Sequence, residues 1–419
     1  MYTPDWFIKD VQQSAVQFLW DKKPSKIKIS TLYNTIEHGG IKFPHFESYV
    51  NAQKCNWIKR LTCDSVTKSY LESMLPVELN VFMSCNPKLS SGKFNLPKFY
   101  NQVFKCWFKL HEDPITVNEV LQEYICLNRH IEINNKMVLY EEFLQPNVLK
   151  IGDVVTNNGS FLNQEEFRKK FGITINWLKL HSVTQAIPNE WKEIINRNIP
   201  LESLGEHENQ STVLNNISSK KCYWSLVKDA LSKPTCINSW STNGFTFTDK
   251  IWNKIFTLPK FTTFNIKLIM LQYKILHRVY ASKRKVAKFI SDTSANCKYC
   301  NVEQDTVHTF YQCKVIKTFW LTLKTWINQY INVSSEFNIK EIIFGIYDNI
   351  PYIVLINFCI LIGKLFIHIC NLDNEKPNLL DYIVSLKHYL EIEKQVYDKK
   401  GKSGKFSMFF GKFYIEIGR

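Results

Sequence analysis

A chain of 419 residues, 45% hydrophobic and 14% aromatic, is long enough for two or three domains with real cores, which excludes a disordered tail. Its net charge of +15 favours a polyanionic partner, nucleic acid ahead of an anionic membrane surface. The 12 cysteines are too scattered for a disulfide scaffold, and Met1-Tyr-Thr-Pro-Asp-Trp6 lacks the basic and apolar runs of a signal peptide, so the expected setting is reducing and intracellular, cytoplasm or nucleus.

Taken in order, residues 7–20 place Ile8, Val11, Ala15, Phe18 and Leu19 at helical spacing, and Gly39-Gly40 supplies positive φ for a turn into a second helix near 46–61. Between 62 and 135, Pro76, Pro87 and Pro97 break the pattern into short pieces, with helices expected around Phe99–Leu110 and from Ile115 onward. Apolar alternation about Asn134-Asn135-Lys136 signals a short hairpin, and Glu165-Glu-Phe-Arg-Lys-Lys-Phe171 a capped helix. Asp153, Glu165 and Glu166 have no partner at a defined spacing and read as solvated carboxylates. Residues 205–221 are polar and read as a linker.

A second helical region follows. Residues 268–280 form an amphipathic pattern in which Lys267, Lys274 and Arg278 fall within an arc of roughly 40°. Lys283, Arg284, Lys285 and Lys288 come next, and Lys298 sits further on. Over 261–330, eleven Lys/Arg against Asp292, Glu303 and Asp305 leave +8, so the charge is concentrated here, interleaved with Tyr299, Phe310 and Tyr311. Ile350–Cys370 is apolar enough to raise a membrane span, but Asn357, Lys364 and His368 interrupt it, and we expect a core helix and no membrane partner. A last helix is expected from Pro377 to about Asp398, with Leu380, Ile383, Val384, Leu390 and Val396 on one face, then a basic tail of net +5 from 394.

Within the basic region Cys297, Cys300, His308 and Cys313 are spaced C-x2-C-x7-H-x4-C. Two close thiols from a tight turn and a His/Cys pair five apart suit a tetrahedral Zn²⁺. Three thiolates and one imidazole leave no open position for water, so the expected role is a structural clip.

Leu271-Gln-Tyr-Lys-Ile-Leu-His-Arg278, the four ligand positions and Phe319-Trp320 together resemble the cysteine-rich C-terminal region of LINE-type (non-LTR) retrotransposon reverse transcriptases. Phe18-Leu-Trp20, Gly39-Gly40-Ile41, Pro44 and Ala52 resemble the segment just downstream of that family's polymerase thumb, and Ile187-Pro188 with Trp191 its middle region. The resemblance implies a zinc-knuckle-like segment engaging RNA or single-stranded DNA, with other retrotransposon-encoded proteins as further partners. The family's Tyr/Phe-x-Asp-Asp turn has no counterpart, since no Asp-Asp pair occurs, and no HExxH, GxSxG or GxGxxG stands in for another chemistry. No polymerase or nuclease activity is therefore expected.

The expected fold is mainly α with a small β element near 131–160 and a zinc-stapled segment at 291–320. The expected divisions are 1–62, 63–204, the linker 205–221, a helical domain 222–393 and the tail 394–419. The expected function is zinc-dependent binding of RNA or single-stranded nucleic acid. The alternative is a structural or protein-interaction module in which the zinc only stabilises the fold.

Overall fold

The computed structural model describes residues 3–89, 94–144, 149–197, 218–291, 293–331 and 335–418. The protein is mainly α, with one two-stranded antiparallel sheet among the described residues. That sheet is the expected hairpin. Glu132 pairs with Met137 and Ile133 with Lys136, and Asn134 and Asn135 take φ of 53° and 59°, the left-handed pair that a two-residue hairpin turn requires.

Contacts divide the chain into two compact units, Met1–Asp21 with Pro44–Asp229, and Lys22–Phe43 with Ala230–Arg419. This grouping cuts across the divisions read from sequence. Helix Ser219–Val227, expected to open the second domain, packs along helix Phe46–Cys63, where Cys222, Tyr223 and Leu226 meet Ala52, Cys55 and Cys106. Residues 22–43 belong instead with the C-terminal unit, held there by the Asn34 amide, which donates to the Ser232 carbonyl at 2.8 Å. The expected linker lies largely in 198–217, outside the described residues.

In the first unit the expected cap on helix Gln164–Phe171 forms, and a second, not expected, forms on helix Val117–Gln122. Thr116 with Glu119, and Asn163 with Glu166, make reciprocal capping boxes that start helices Val117–Gln122 and Gln164–Phe171. Helix Asp5–Leu19 departs from expectation: Ile8 is its one buried residue and Phe18 is 91% exposed.

The second unit is built around helix Ile353–Asp373, long and apolar enough to cross a membrane by composition but with 78% of its most apolar stretch buried inside the protein. Gly363 lets it approach Trp320 so closely that an added Cβ would lie 2.6 Å from the indole. Helix Leu379–Lys399 packs beside it on a face rotated from the expected one. Tyr382, Leu386, Leu390, Glu393 and Tyr397 are buried, whereas Leu380 and Val384 are exposed. The basic tail is no appendage, because Phe406, Phe410 and Phe413 enter the same core.

The Gly39-Gly40 turn shows two reasons for glycine. Gly39 has φ of 76°, and a Cβ on Gly40 would fall 2.0 Å from the Asn34 carbonyl oxygen. Gly40→Ala should therefore cost about 1–3 kcal/mol and lower Tm by roughly 5 °C. Gly404→Ala, with nothing within 4 Å of its new Cβ, should leave Tm unchanged when both are followed by thermal denaturation.

Candidate metal centre

The clip begins with a small hairpin. Asn296 pairs antiparallel with Glu303, the Cys297 N–H donates to the Val302 carbonyl at 2.8 Å, and the Asn301 N–H donates back to the Cys297 carbonyl at 2.8 Å. Asn301 closes the turn at φ 53°, a left-handed position that asparagine tolerates better than most residues. Asp305 then starts the second half, its carboxylate accepting from the His308 N–H at 2.7 Å. One wide turn, His308–Gln312, carries the chain with a Cys313 N–H to His308 carbonyl bond of 3.3 Å and sets Cys313 immediately before helix Lys314–Ile327.

The four expected ligands converge. Their ligand atoms all lie within 4.8 Å of one another, with Cys297 Sγ 3.8 Å from Cys313 Sγ and Cys300 Sγ 3.1 Å from His308 Nε2. A tetrahedral zinc with Zn–S of about 2.3 Å has S–S edges of about 3.8 Å, so the thiol pair sits at the spacing the ion needs. Burial pushes the Cys297 thiol up, but the backbone N–H groups of Tyr299 and Cys300 and the neighbouring thiols hold it below its ordinary value. Burial raises Cys313 to about 11 despite hydrogen bonds from the backbone at Ile316 and Val315. Backbone donors thus face both sulfurs, the outer support that orients thiolate ligands. Burial also lowers His308 against the opposing pull of Asp305, leaving a neutral imidazole able to ligate. The group could hold a metal, and its donor set of three sulfurs and one nitrogen is consistent with zinc.

The clip is rooted in the core of its unit. Cys297, Phe310 and Cys313 are buried, the Trp320 indole N–H donates to the Phe310 carbonyl at 2.8 Å, and the Phe310 ring meets Tyr280 at 4.8 Å. Its outer edge is tied down as well. The Lys298 ammonium donates to the Asn374 carbonyl, and the Tyr299 hydroxyl to that of Glu375 at 2.7 Å.

The eight basic residues expected to contact nucleic acid separate into two groups. Arg278 leaves the face of Lys267 and Lys274 because helix Ile266–Leu276 has ended before it. It takes φ of 56°, donates to the Ser239 carbonyl at 2.6 Å and lies 4.9 Å from the Trp240 ring centre. The Lys285 ammonium donates to the Arg278 carbonyl, Arg284 Nε pairs with Glu303 at 3.0 Å, and Lys298 is occupied as above. Lys267, Lys274, Lys283 and Lys288, by contrast, have no carboxylate partner among the described residues. Of the interleaved aromatics, Phe310 is buried, and Tyr299 and Tyr311 are half-buried beneath lysine ammonium groups, with Lys298 4.8 Å from one ring and Lys317 5.8 Å from the other. The exposed ring beside the basic run is Phe289, at 88% exposure, which the sequence reading passed over. Its signal was available: an aromatic directly after Lys288 and just beyond a four-residue helix, where nothing follows to bury it. Asp305 was also missed, although an Asp three residues before a ligand at the start of a turn is a capping signal.

No model of a known protein family matches the chain, and no curated protein matches it.

Proposed function

We propose that this chain binds RNA or single-stranded DNA through a basic surface held in shape by a zinc clip, and that it corresponds to the C-terminal portion of a LINE-type reverse transcriptase. The observation that carries the reading is a preformed four-ligand site to which the Arg284 N–H, donating to the Gln304 carbonyl at 3.1 Å, ties the run holding Lys283, Lys288 and the exposed Phe289, neither lysine having a carboxylate partner among the described residues. On this reading the metal has no open coordination position and the chain no catalysis of its own. Its setting is intracellular, and other proteins encoded by the same element are its natural partners.

A specific observation favours a second reading, a structural module. Cys297, Cys313 and Phe310 belong to the main core of the C-terminal unit, with Cys300 packed against it, so the ion could serve that core alone. Salt dependence separates the two. Neutralising Z phosphates of a single strand gives a slope of about −0.7Z in log K against log salt. Lys283→Ala with Lys288→Ala should flatten that slope by about 1.4 while leaving zinc content unchanged. An unchanged slope in fluorescence anisotropy across a salt series would remove these two lysines from the interface and favour the structural module. Arg284 and Lys285 are poorer probes, because their contacts to Glu303 and the Arg278 carbonyl mix folding with binding.

A further inference from the structure

The turn between helices Asp249–Thr262 and Ile266–Leu276 carries a second cluster of rings and cations. Phe261 is 60% exposed and forms a wall of an open cleft of about 330 Å³, which Lys42, Lys260, Thr35 and Thr257 also line. At the turn itself, the ammonium groups of Lys400 and Lys402 stand 5.1 Å and 5.9 Å from the centre of the Phe264 ring. None of the four lysines has a carboxylate partner among the described residues. Glu37 is the one acid lining the cleft, and its carboxylate already accepts from the Thr35 hydroxyl at 3.1 Å.

The turn is held in place from beneath. The buried Glu393 carboxylate accepts from the Thr263 hydroxyl at 2.8 Å and from the Phe264 N–H at 2.8 Å, and the Thr263 oxygen accepts in turn from the Asn265 N–H at 3.0 Å. The Phe264 ring leans on Tyr397 at 5.0 Å. Phe261, in the last turn of helix Asp249–Thr262 next to this anchored turn and lining the cleft with Lys42 and Lys260, is a preorganised platform and not a loose apolar tip.

We propose that this cleft takes one unpaired nucleotide, its base against Phe261 and the flanking phosphates on Lys42 and Lys260 and on Lys400 and Lys402. The inference rests on the single-strand reading above and moves the base contact from the clip to this turn. A paired base cannot present its face to a ring, which excludes duplex. A ring that enters lipid projects from a convex surface, whereas Phe261 walls a concavity.

The test compares labelled poly(U) with an abasic polymer of the same length. Phe261→Ala should weaken poly(U) binding roughly tenfold and leave the abasic polymer unaffected, because only the base contact is removed. Lys400→Ala with Lys402→Ala should weaken both and flatten the salt slope by about 1.4. Phe261→Trp should keep the wild-type affinity for poly(U), because the larger ring preserves the base contact. If Phe261→Ala binds poly(U) like the wild type while the Lys283/Lys288 double variant loses affinity, the cleft is not the base site although the single-strand reading stands. A wild-type chain that binds neither polymer overturns both. Phe261-dependent binding to phosphatidylserine vesicles in place of poly(U) would make the surface a lipid contact and overturn the inference.

Discussion

Cys300→Ser should yield a purified chain without zinc, where the wild type should carry one ion per chain, and should lower the Tm of the C-terminal unit by about 10 °C. Cys300 is the one half-buried ligand, 3.1 Å from His308, whereas Cys297, His308 and Cys313 are buried, so the serine removes one ligand without opening the core. Zinc-finger peptides owe about 10–16 kcal/mol to their ion because they have no other core. Here the segment also has a core of its own, Phe310 with Trp320 and Tyr280, and about 4 kcal/mol is the expected loss. The loss should be local. Amide exchange should speed up over 295–313 and remain slow in helix Ile353–Asp373. The exposed Cys63 supplies the control, since Cys63→Ser should keep both zinc and Tm. Retention of one zinc by Cys300→Ser, measured by elemental analysis, would show that the four residues are not the ligand set.

The second large effect concerns Lys364, on the apolar helix and 1% exposed. Its amine donates to Gln272 Oε1 at 2.6 Å and to the Ile343 carbonyl at 3.2 Å. Two acceptors satisfy the two N–H bonds of a neutral amine and leave an ammonium's third without a partner here. Burial lowers its pKa to about 7. Between about pH 7 and the ordinary lysine value near 10.4, the unfolded chain therefore binds a proton that the folded chain does not, and stability rises with pH. Below about pH 7 the penalty is complete, of order 4–5 kcal/mol. Lys364→Met, close in volume and without charge, should be more stable than the wild type at pH 7. It should also lose most of the rise of roughly 2–3 kcal/mol expected between about pH 7 and pH 9 in urea unfolding. Parallel pH profiles for the two proteins would show that Lys364 is not the titrating group.

What could be read from the sequence divides along physical lines. The ligand spacing, the Asn134-Asn135 hairpin, the cap of helix Gln164–Phe171 and the apolar helix were legible because each is fixed within a few residues by local geometry or by continuous apolar composition. The face of helix Leu379–Lys399 was not, because Tyr382 and Tyr397 bury rings that periodicity counts as ambiguous, while Leu380 stays outside. Arg278 was placed on a basic face by extrapolating 100° per residue past the true end of its helix, where one left-handed residue redirects the side chain. The grouping of residues 22–43 with the C-terminal unit depends on the Asn34 to Ser232 bond, a pairing across 198 residues that no local pattern announces. The Phe261 cleft was missed for the same reason, since Lys42 and Lys260, which line it, come from distant parts of the chain.

The most direct test of the central claim is the zinc content of the purified chain measured together with its affinity for poly(U) and poly(dT) across a salt series. The account predicts one zinc per chain and an affinity that falls steeply and linearly in log salt. One zinc with no detectable binding at low salt would contradict it and leave a metal-stapled structural module.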